Sequence, residues 1–287
     1  MAFQCCQKCK GDADGSFETT EVQSTSPNPN AGKIRASSIT PAKESDIHEG
    51  ENPRIILPNG ANYEGQWNKA KKRHGHGTQV WPDGAQYNGQ WQDDKAHGKG
   101  CFKHSDGDAY DGQWQNDKAH GTGVYHHADG SRYEGEWFED KQQGKGVEVW
   151  PDGARFEGEY KNGQKSGPGK FDWSDGSGYQ GEFFENDLHG KGRYHWADGR
   201  VFDGQWANNR MHGQGKFTWS DGREYEGGYV EDKKEGEGTF VWPDKRTYKG
   251  QWKGGKQHGN GVYSAPDKDP RAGEWVDGKR TRWADEQ

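Results

Sequence analysis

The chain has 287 residues, a formal net charge of −7 and only 27% hydrophobic residues, too few apolar side chains for an ordinary globular core. Its acids and bases are interspersed, which excludes the basic footprint of a nucleic-acid binder, and it has no run of 18 apolar residues that could span a membrane as a helix. Against that polarity stand 14 Trp, 12 Tyr, 11 Phe and 46 Gly, so large rings lying on small neighbours can supply a thin ordered core.

Residues 1–51 are rich in Ser, Thr, Pro, Gly and charge without apolar periodicity, and read as a disordered tail. The first residues lack an apolar h-region, so a cytoplasmic, non-secreted chain is expected. Cys5, Cys6 and Cys9, with Lys8 and Lys10 beside them, are candidates for S-acylation. Ala2 departs from the Gly that N-myristoylation needs. Two or more acyl chains would anchor the chain stably where one is marginal. The alternative is three exposed thiols. A zinc site is disfavoured, because the fourth Cys is distant at Cys101. Neither a metal nor another cofactor is expected.

Residues 52–276 repeat. A ring recurs at Tyr63, Tyr87, Tyr110, Tyr133, Phe156, Tyr179, Phe202, Tyr225 and Tyr248, spaced 24 once and then 23. Four residues later stands a second ring: Trp67, Trp91, Trp114, Trp137, Tyr160, Phe183, Trp206, Tyr229 and Trp252. A decayed tenth copy runs Arg271-Ala272-Gly273-Glu274-Trp275. Residues 277–287 are a C-terminal tail or a short cap, with a short helix allowed.

Within one unit, Gly144–Trp150 and Phe156–Tyr160 alternate ring or Gly with polar residues, the period of strands. Between them Pro151-Asp152-Gly153 suits a three-residue hairpin loop ending in a bulge. That loop sets Trp150 opposite Ala154, Glu148 opposite Phe156, Gly146 opposite Gly158 and Gly144 opposite Tyr160. In the preceding units it sets Phe102 opposite Tyr110, Gly100 opposite Gly112 and Gly98 opposite Trp114. The fold expected is all-β: an elongated single-layer antiparallel sheet of tandem 23-residue hairpins. Rings and glycines share one face, and rings of one hairpin lie over glycines of the next.

The pattern Tyr-x-Gly-x-Trp, a polar loop, His-Gly-x-Gly and Asp-Gly before the next Tyr resembles the MORN (membrane occupation and recognition nexus) repeat. The resemblance covers about nine full repeats and the decayed tenth. Ser166-Gly-Pro-Gly169 and Glu235-Gly-Glu-Gly238 depart by lacking the His, and Asp244-Lys245 replaces Asp-Gly. The resemblance implies a β-sheet groove used for scaffolding, for tethering to membranes or cytoskeleton, and for homodimerisation. In plants such repeats precede a phosphatidylinositol phosphate kinase domain, for which tail and repeats leave no room here.

The residues offer no catalytic constellation. His74, His97, His120, His189, His212 and His258 stand one per repeat, ~10 Å apart at two strands each, too far to share a metal ion. Asp and Glu fall at repeat positions that read as a solvated outer face. Two ladders remain. The candidate groove, partner-binding or structural, comprises Tyr87, Trp91, Phe102, Tyr110, Trp114, Tyr133, Trp137, Trp150, Phe156, Trp173, Tyr179, Trp196, Phe202, Trp206, Trp219, Tyr225, Trp242, Tyr248 and Trp252. Lys95, Lys118, Lys141, Arg210, Lys233 and Lys256 form a basic stripe that could meet anionic lipid headgroups. Adjacent acids favour solvated loops with local ion pairs instead. The reading is a non-enzymatic scaffold that presents its aromatic groove to a protein partner, as a peptide or helix, and docks on an anionic phospholipid membrane or the cytoskeleton. The alternatives are a ciliary or axonemal structural subunit without lipid contact, and a regulatory partner of a phosphoinositide kinase.

Overall fold

Two turns of opposite chemistry build the structure, a computed structural model that describes residue 52 and residues 54–286. The first turn is the Pro-Asp-Gly loop. Trp150 N–H donates to the Ala154 carbonyl and Gly153 N–H to the Trp150 carbonyl, both at 3.0 Å. Asp152 Oδ1 accepts from Ala154 N–H at 3.0 Å. Gly153 sits at φ +90°, a left-handed conformation that favours Gly. This three-residue loop produces the expected register: Phe156 faces Glu148, Gly158 faces Gly146 and Tyr160 faces Gly144. The same offset sets Tyr110 against Phe102, Gly112 against Gly100 and Trp114 against Gly98.

The second turn, on the opposite edge, has two central residues at positive φ, as at Asn116 (53°) and Asp117 (67°). This is the primed geometry whose twist matches that of the flanking strands. Its second residue also binds the previous repeat. Asp117 N–H donates to the Ala96 carbonyl, and Asp117 Oδ1 accepts from Ala96 N–H at 2.7 Å. Asp140 does the same for Ala119, Asn209 for Leu188 and Asp232 for Met211.

Between these turns lies a bulge. Gly112 pairs with Gly123, but Gln113 pairs with His120, so Gly121 and Thr122 are extra on the longer strand. Gly121 takes φ +63°. Gln113 Oε1 fills the space beside it and accepts from Thr122 N–H at 3.0 Å.

The described residues contain 21 strands and no helix. They fall into two compact units, residues 54–165 and 166–286. Within each unit, sequential strands pair antiparallel, and away from the ends of the array strands of seven and nine residues alternate. The last segment, Lys279–Trp283, is a strand paired to Lys268–Val276, where the sequence allowed a short helix. The expected disordered tail and Cys5, Cys6 and Cys9 lie outside the described residues.

The core is the ring-and-glycine face. Tyr110 is fully buried because its ring lies flat over Gly112 and Gly123. A Cβ added at Gly123 would stand 2.4 Å from Tyr110 Oη. Trp114 and the next repeat's Trp137 flank that ring edge-on, at centroid distances of 5.1 and 5.2 Å. The polar ends of these two rings are satisfied by backbone: Tyr110 O–H donates to the Gln113 carbonyl at 3.0 Å, and Trp114 Nε1–H to the Gly100 carbonyl at 2.8 Å.

Two features depart from the expected separation of a ring face and an acidic outer face. Glu148 occupies a position held by Phe102 and Tyr125 in earlier repeats, on the ring face. Its Oε2 accepts from Lys165 Nζ at 2.8 Å and from Tyr160 O–H at 3.0 Å. Asp108 is also drawn in, accepting from Tyr125 O–H at 2.6 Å. Not every carboxylate is therefore on the solvated face. A charge tolerated among rings needs a hydrogen-bonding partner there, and each of these has one.

Candidate functional site

The candidate groove separates into two classes by burial. Tyr87, Trp91, Phe102, Tyr110, Trp114, Tyr133, Trp137, Phe156, Tyr179, Phe202, Trp206, Tyr225, Tyr248 and Trp252 are all buried by their own sheet. They form the core, so an open trough of these rings is not what the chain displays. Trp150, Trp173, Trp196 and Trp242 are half-buried, and Trp219 is 8% exposed. These five stand at the start of the Pro-Asp-Gly-type loops, along one edge.

The edge row is continuous in the second unit. In residues 166–286 each tip ring packs on the strand ring two residues before it and on the corresponding ring of the next repeat. Trp173 stacks on Phe171 at 4.5 Å and meets Tyr194 at 5.2 Å. Trp196 meets Tyr194 at 4.5 Å and Phe217 at 5.2 Å. Trp219 meets Phe217 at 4.4 Å and Phe240 at 5.6 Å. Three of these tips add an arginine. The guanidinium carbons of Arg200, Arg223 and Arg246 lie 5.2, 5.4 and 5.7 Å from the ring centroids of Trp196, Trp219 and Trp242. Each Arg Nε–H donates to the loop carboxylate two residues before it, Asp198, Asp221 or Asp244, at 2.6–2.8 Å. The tips of the second unit thus present an aromatic edge beside an oriented guanidinium. In residues 54–165 two tips carry His104 and His127 instead, packed on Phe102 and Tyr125 at 4.5 and 4.6 Å.

The basic stripe lies along the opposite edge, beside the tight turns. Lys95, Lys118, Lys141, Lys233 and Lys256 are exposed and Arg210 half-exposed. Lys118 pairs with Glu139 at 3.3 Å and Arg210 with Glu231 at 3.4 Å, each reaching the next repeat's turn. Between such exposed groups the pairs contribute little stability. The other turn acids serve as caps. Burial pushes the Asp117 and Asp232 carboxyls up from their ordinary range, against the opposing pull of the Ala96 and Met211 N–H groups. Sequence reasoning missed two neighbours of this edge, Phe138 and Phe184, which are 54% and 53% exposed. They were visible as apolar residues following the Trp-position ring, a place held elsewhere by Gln92, Gln115 or Lys161.

The His ladder belongs to these turns. His74 Nδ1 lies 3.5 Å from Asp93, His120 packs on Phe138 at 5.1 Å and His189 on Phe184 at 5.6 Å. At two of the three positions where the His is replaced, Gln143 and Glu235, the replacement binds the next turn. Gln143 Oε1 accepts from Asn162 N–H at 3.0 Å and Glu235 Oε2 from Gly254 N–H at 2.8 Å. Those two turns end in Gly163 and Gly255, which lack the capping carboxylate, so each departure compensates another. Among the described residues no group of three or more His, Cys, Asp or Glu is arranged to hold a metal ion.

Ten consecutive matches to the MORN repeat pattern cover residues 63–86, 87–109, 110–132, 133–155, 156–178, 179–199, 202–222, 225–245, 248–269 and 272–281. The chain belongs to the MORN-repeat family. A comparison with curated proteins finds no match. Among solved structures, the MORN array is similar to the TCP10 domain of Danio rerio CPAP, in complex with a peptide of STIL. That likeness has 12% identity over 81% of this chain and 98% of that one, with a TM-score of 0.43. The TCP domain of Drosophila melanogaster SAS-4, in complex with a proline-rich motif of Ana2, matches at 12% identity over 62% and 95%, with a TM-score of 0.34. Scores of this size bear on neither partner nor function.

Proposed function

We propose that this MORN-repeat protein is a non-enzymatic scaffold that receives a protein partner along the hairpin-tip edge of residues 166–286. The observation that carries the reading is the contrast in burial. The Tyr and Trp rings of the repeat signature are consumed by the sheet, whereas Trp173, Trp196 and Trp242 keep part of their surface, two of them beside an arginine. Exposed Trp and Arg dominate the energetics of protein interfaces. The turn carboxylates are spent on backbone caps and the histidines fall one per repeat, which supports a role in binding over chemistry. The reading extends to docking on a membrane or the cytoskeleton, with acylated Cys5, Cys6 and Cys9 as the membrane anchor.

Cross-linking mass spectrometry on the tagged full chain tests the partner half. The wild type is compared with a triple Trp173→Ala, Trp196→Ala, Trp242→Ala variant whose circular dichroism shows intact strands. Loss of a reproducible set of partner cross-links is expected, and an unchanged set would overturn the reading. Acyl-exchange labelling that finds no lipid on the three thiols would remove the anchor. Phosphotransfer to phosphoinositides by the pure protein would overturn the non-enzymatic assignment.

A further inference from the structure

Four side-chain-to-backbone ties recur through the array, and the Tyr110 repeat shows all of them. The Tyr110 hydroxyl donates to the Gln113 carbonyl, and the Trp114 indole N–H to the Gly100 carbonyl. The Gln113 carboxamide accepts from Thr122 N–H at the bulge, and the turn carboxylate of Asp117 accepts from Ala96 N–H. The Tyr87 and Tyr133 repeats make the same four. Other repeats lack one or two. Phe202 has no hydroxyl, Phe183 and Tyr229 have no indole, Gly228 has no carboxamide and Gly255 has no carboxylate.

In the repeat Phe156–Gly178 all four are excluded by covalent structure. Phe156 has no hydroxyl and Tyr160 no indole N–H. Gly163, at the second turn position, has no side chain. Pro168 stands where Thr122 and Lys145 offer their bulge N–H, and proline has none. Of the repeats that retain the first ring, this is the one in which every tie is lost. In their place Lys165 and Tyr160 share Glu148 Oε2, Lys165 Nζ lies 5.1, 5.0 and 5.6 Å from the Trp150, Phe156 and Tyr160 ring centroids, and Asn162 N–H donates to Gln143. Glu148 itself stands in place of a ring, and drawing a charge pair out of water offsets much of its attraction.

In a repeat array, stability is a sum of terms within repeats and between neighbours. Opening therefore begins where those terms are smallest. We propose that the Phe156–Gly178 repeat is a built-in opening point. Residues 160–172 unfold locally before the strands on either side, so the chain folds as two cooperative blocks.

Native-state hydrogen exchange on the full chain, read by mass spectrometry, tests this directly. Amides of residues 160–172 are expected to exchange at least tenfold faster than those of the equivalent segments 114–126 and 206–218. Equal protection across the three segments would overturn the proposal. A Gly163→Asp, Pro168→Lys variant restores two ties and is expected to slow exchange in 160–172 at least tenfold. If that variant folds and its exchange is unchanged, the missing ties are not the cause and the proposal fails. The converse variant, Asp117→Gly with Thr122→Pro, is expected to create a second fast-exchanging segment at 114–126, and unaltered protection there would count equally against it.

Discussion

At the scale of single residues, the family signature is a packing solution in which glycine and tyrosine are two halves of one contact. Gly123 is bare because the Tyr110 ring occupies the place of its side chain, with Oη, Cε2 and Cζ all within 2.6 Å of a would-be Cβ. A methyl there must move a ring that is itself held by Trp114, Trp137 and a backbone carbonyl. Gly123→Ala is therefore expected to destabilise the fold by about 3 kcal/mol, although it adds a single carbon. Tyr110→Phe removes the hydroxyl bond alone and is expected to cost about 1 kcal/mol. Phe156 and Phe202 at the equivalent position show that the array accommodates that loss. Urea unfolding of the two variants, followed by tryptophan fluorescence, separates the effects. A Gly123→Ala chain as stable as the wild type would show that the ring is not seated as described. The burial of Trp114, at 2% exposure, makes the same point: a residue conspicuous in the sequence is hidden from a partner.

At the scale of the element, hairpin register was legible because a Pro-Asp-Gly loop has few conformations and the ring–glycine alternation tolerates only one of them. The tight turn was less legible. Its acids read as solvated partners of the adjacent lysines, whereas Asp117 and Asp232 bind backbone 21 residues upstream. That offset becomes meaningful only once repeats are laid side by side. What Glu148 binds, and what Gln143 and Glu235 bind in place of a His, were illegible for the same reason, since each partner belongs to a neighbouring repeat. The cap carries a pH prediction. Burial raises the Asp117 carboxyl in the folded state. Its contribution is therefore fully present below the ordinary carboxylate range and is lost as pH rises through the raised value. Asp117→Asn keeps an acceptor for Ala96 N–H, as Asn209 does for Leu188, and has no charge to bury. The variant should match the wild type near pH 3 and gain on it as pH rises to 7 in thermal melts. A gap that closes as pH rises would contradict the burial assigned to Asp117. Asp117→Ala loses the cap and strains a backbone at φ +67°, and should be less stable at every pH by about 2 kcal/mol.

At the scale of the whole molecule, the hydrogen bonds and ring contacts of a repeat reach one repeat in either direction. Tyr87 touches Trp91 and Trp114, Trp91 bonds Gly77, and Asp94 caps Arg73. Nothing in the Tyr87 repeat depends on a residue two repeats away, so the array should tolerate removal of one whole period. Excision of residues 87–109, one complete MORN repeat, joins Gln86 to Tyr110. Tyr110 then faces Gln79 in place of Tyr87, Trp114 takes the position of Trp91 above Gly75, and Asp117 meets Arg73 N–H in place of Asp94. Arg73 keeps an indole beneath its guanidinium, which lies 4.1 Å from the Trp91 ring in the intact chain. The excised protein is expected to retain its β-sheet circular dichroism and protected amides, with a Tm lower by about 5 °C. Excision of residues 87–97 alone should instead abolish folding of residues 54–165, because the ring strand is lost while its long partner Lys95–Lys103 is left cut mid-strand. If the whole-period excision unfolds the chain as completely as the partial one, stability depends on contacts longer than one repeat, and the nearest-neighbour account of this sheet is wrong.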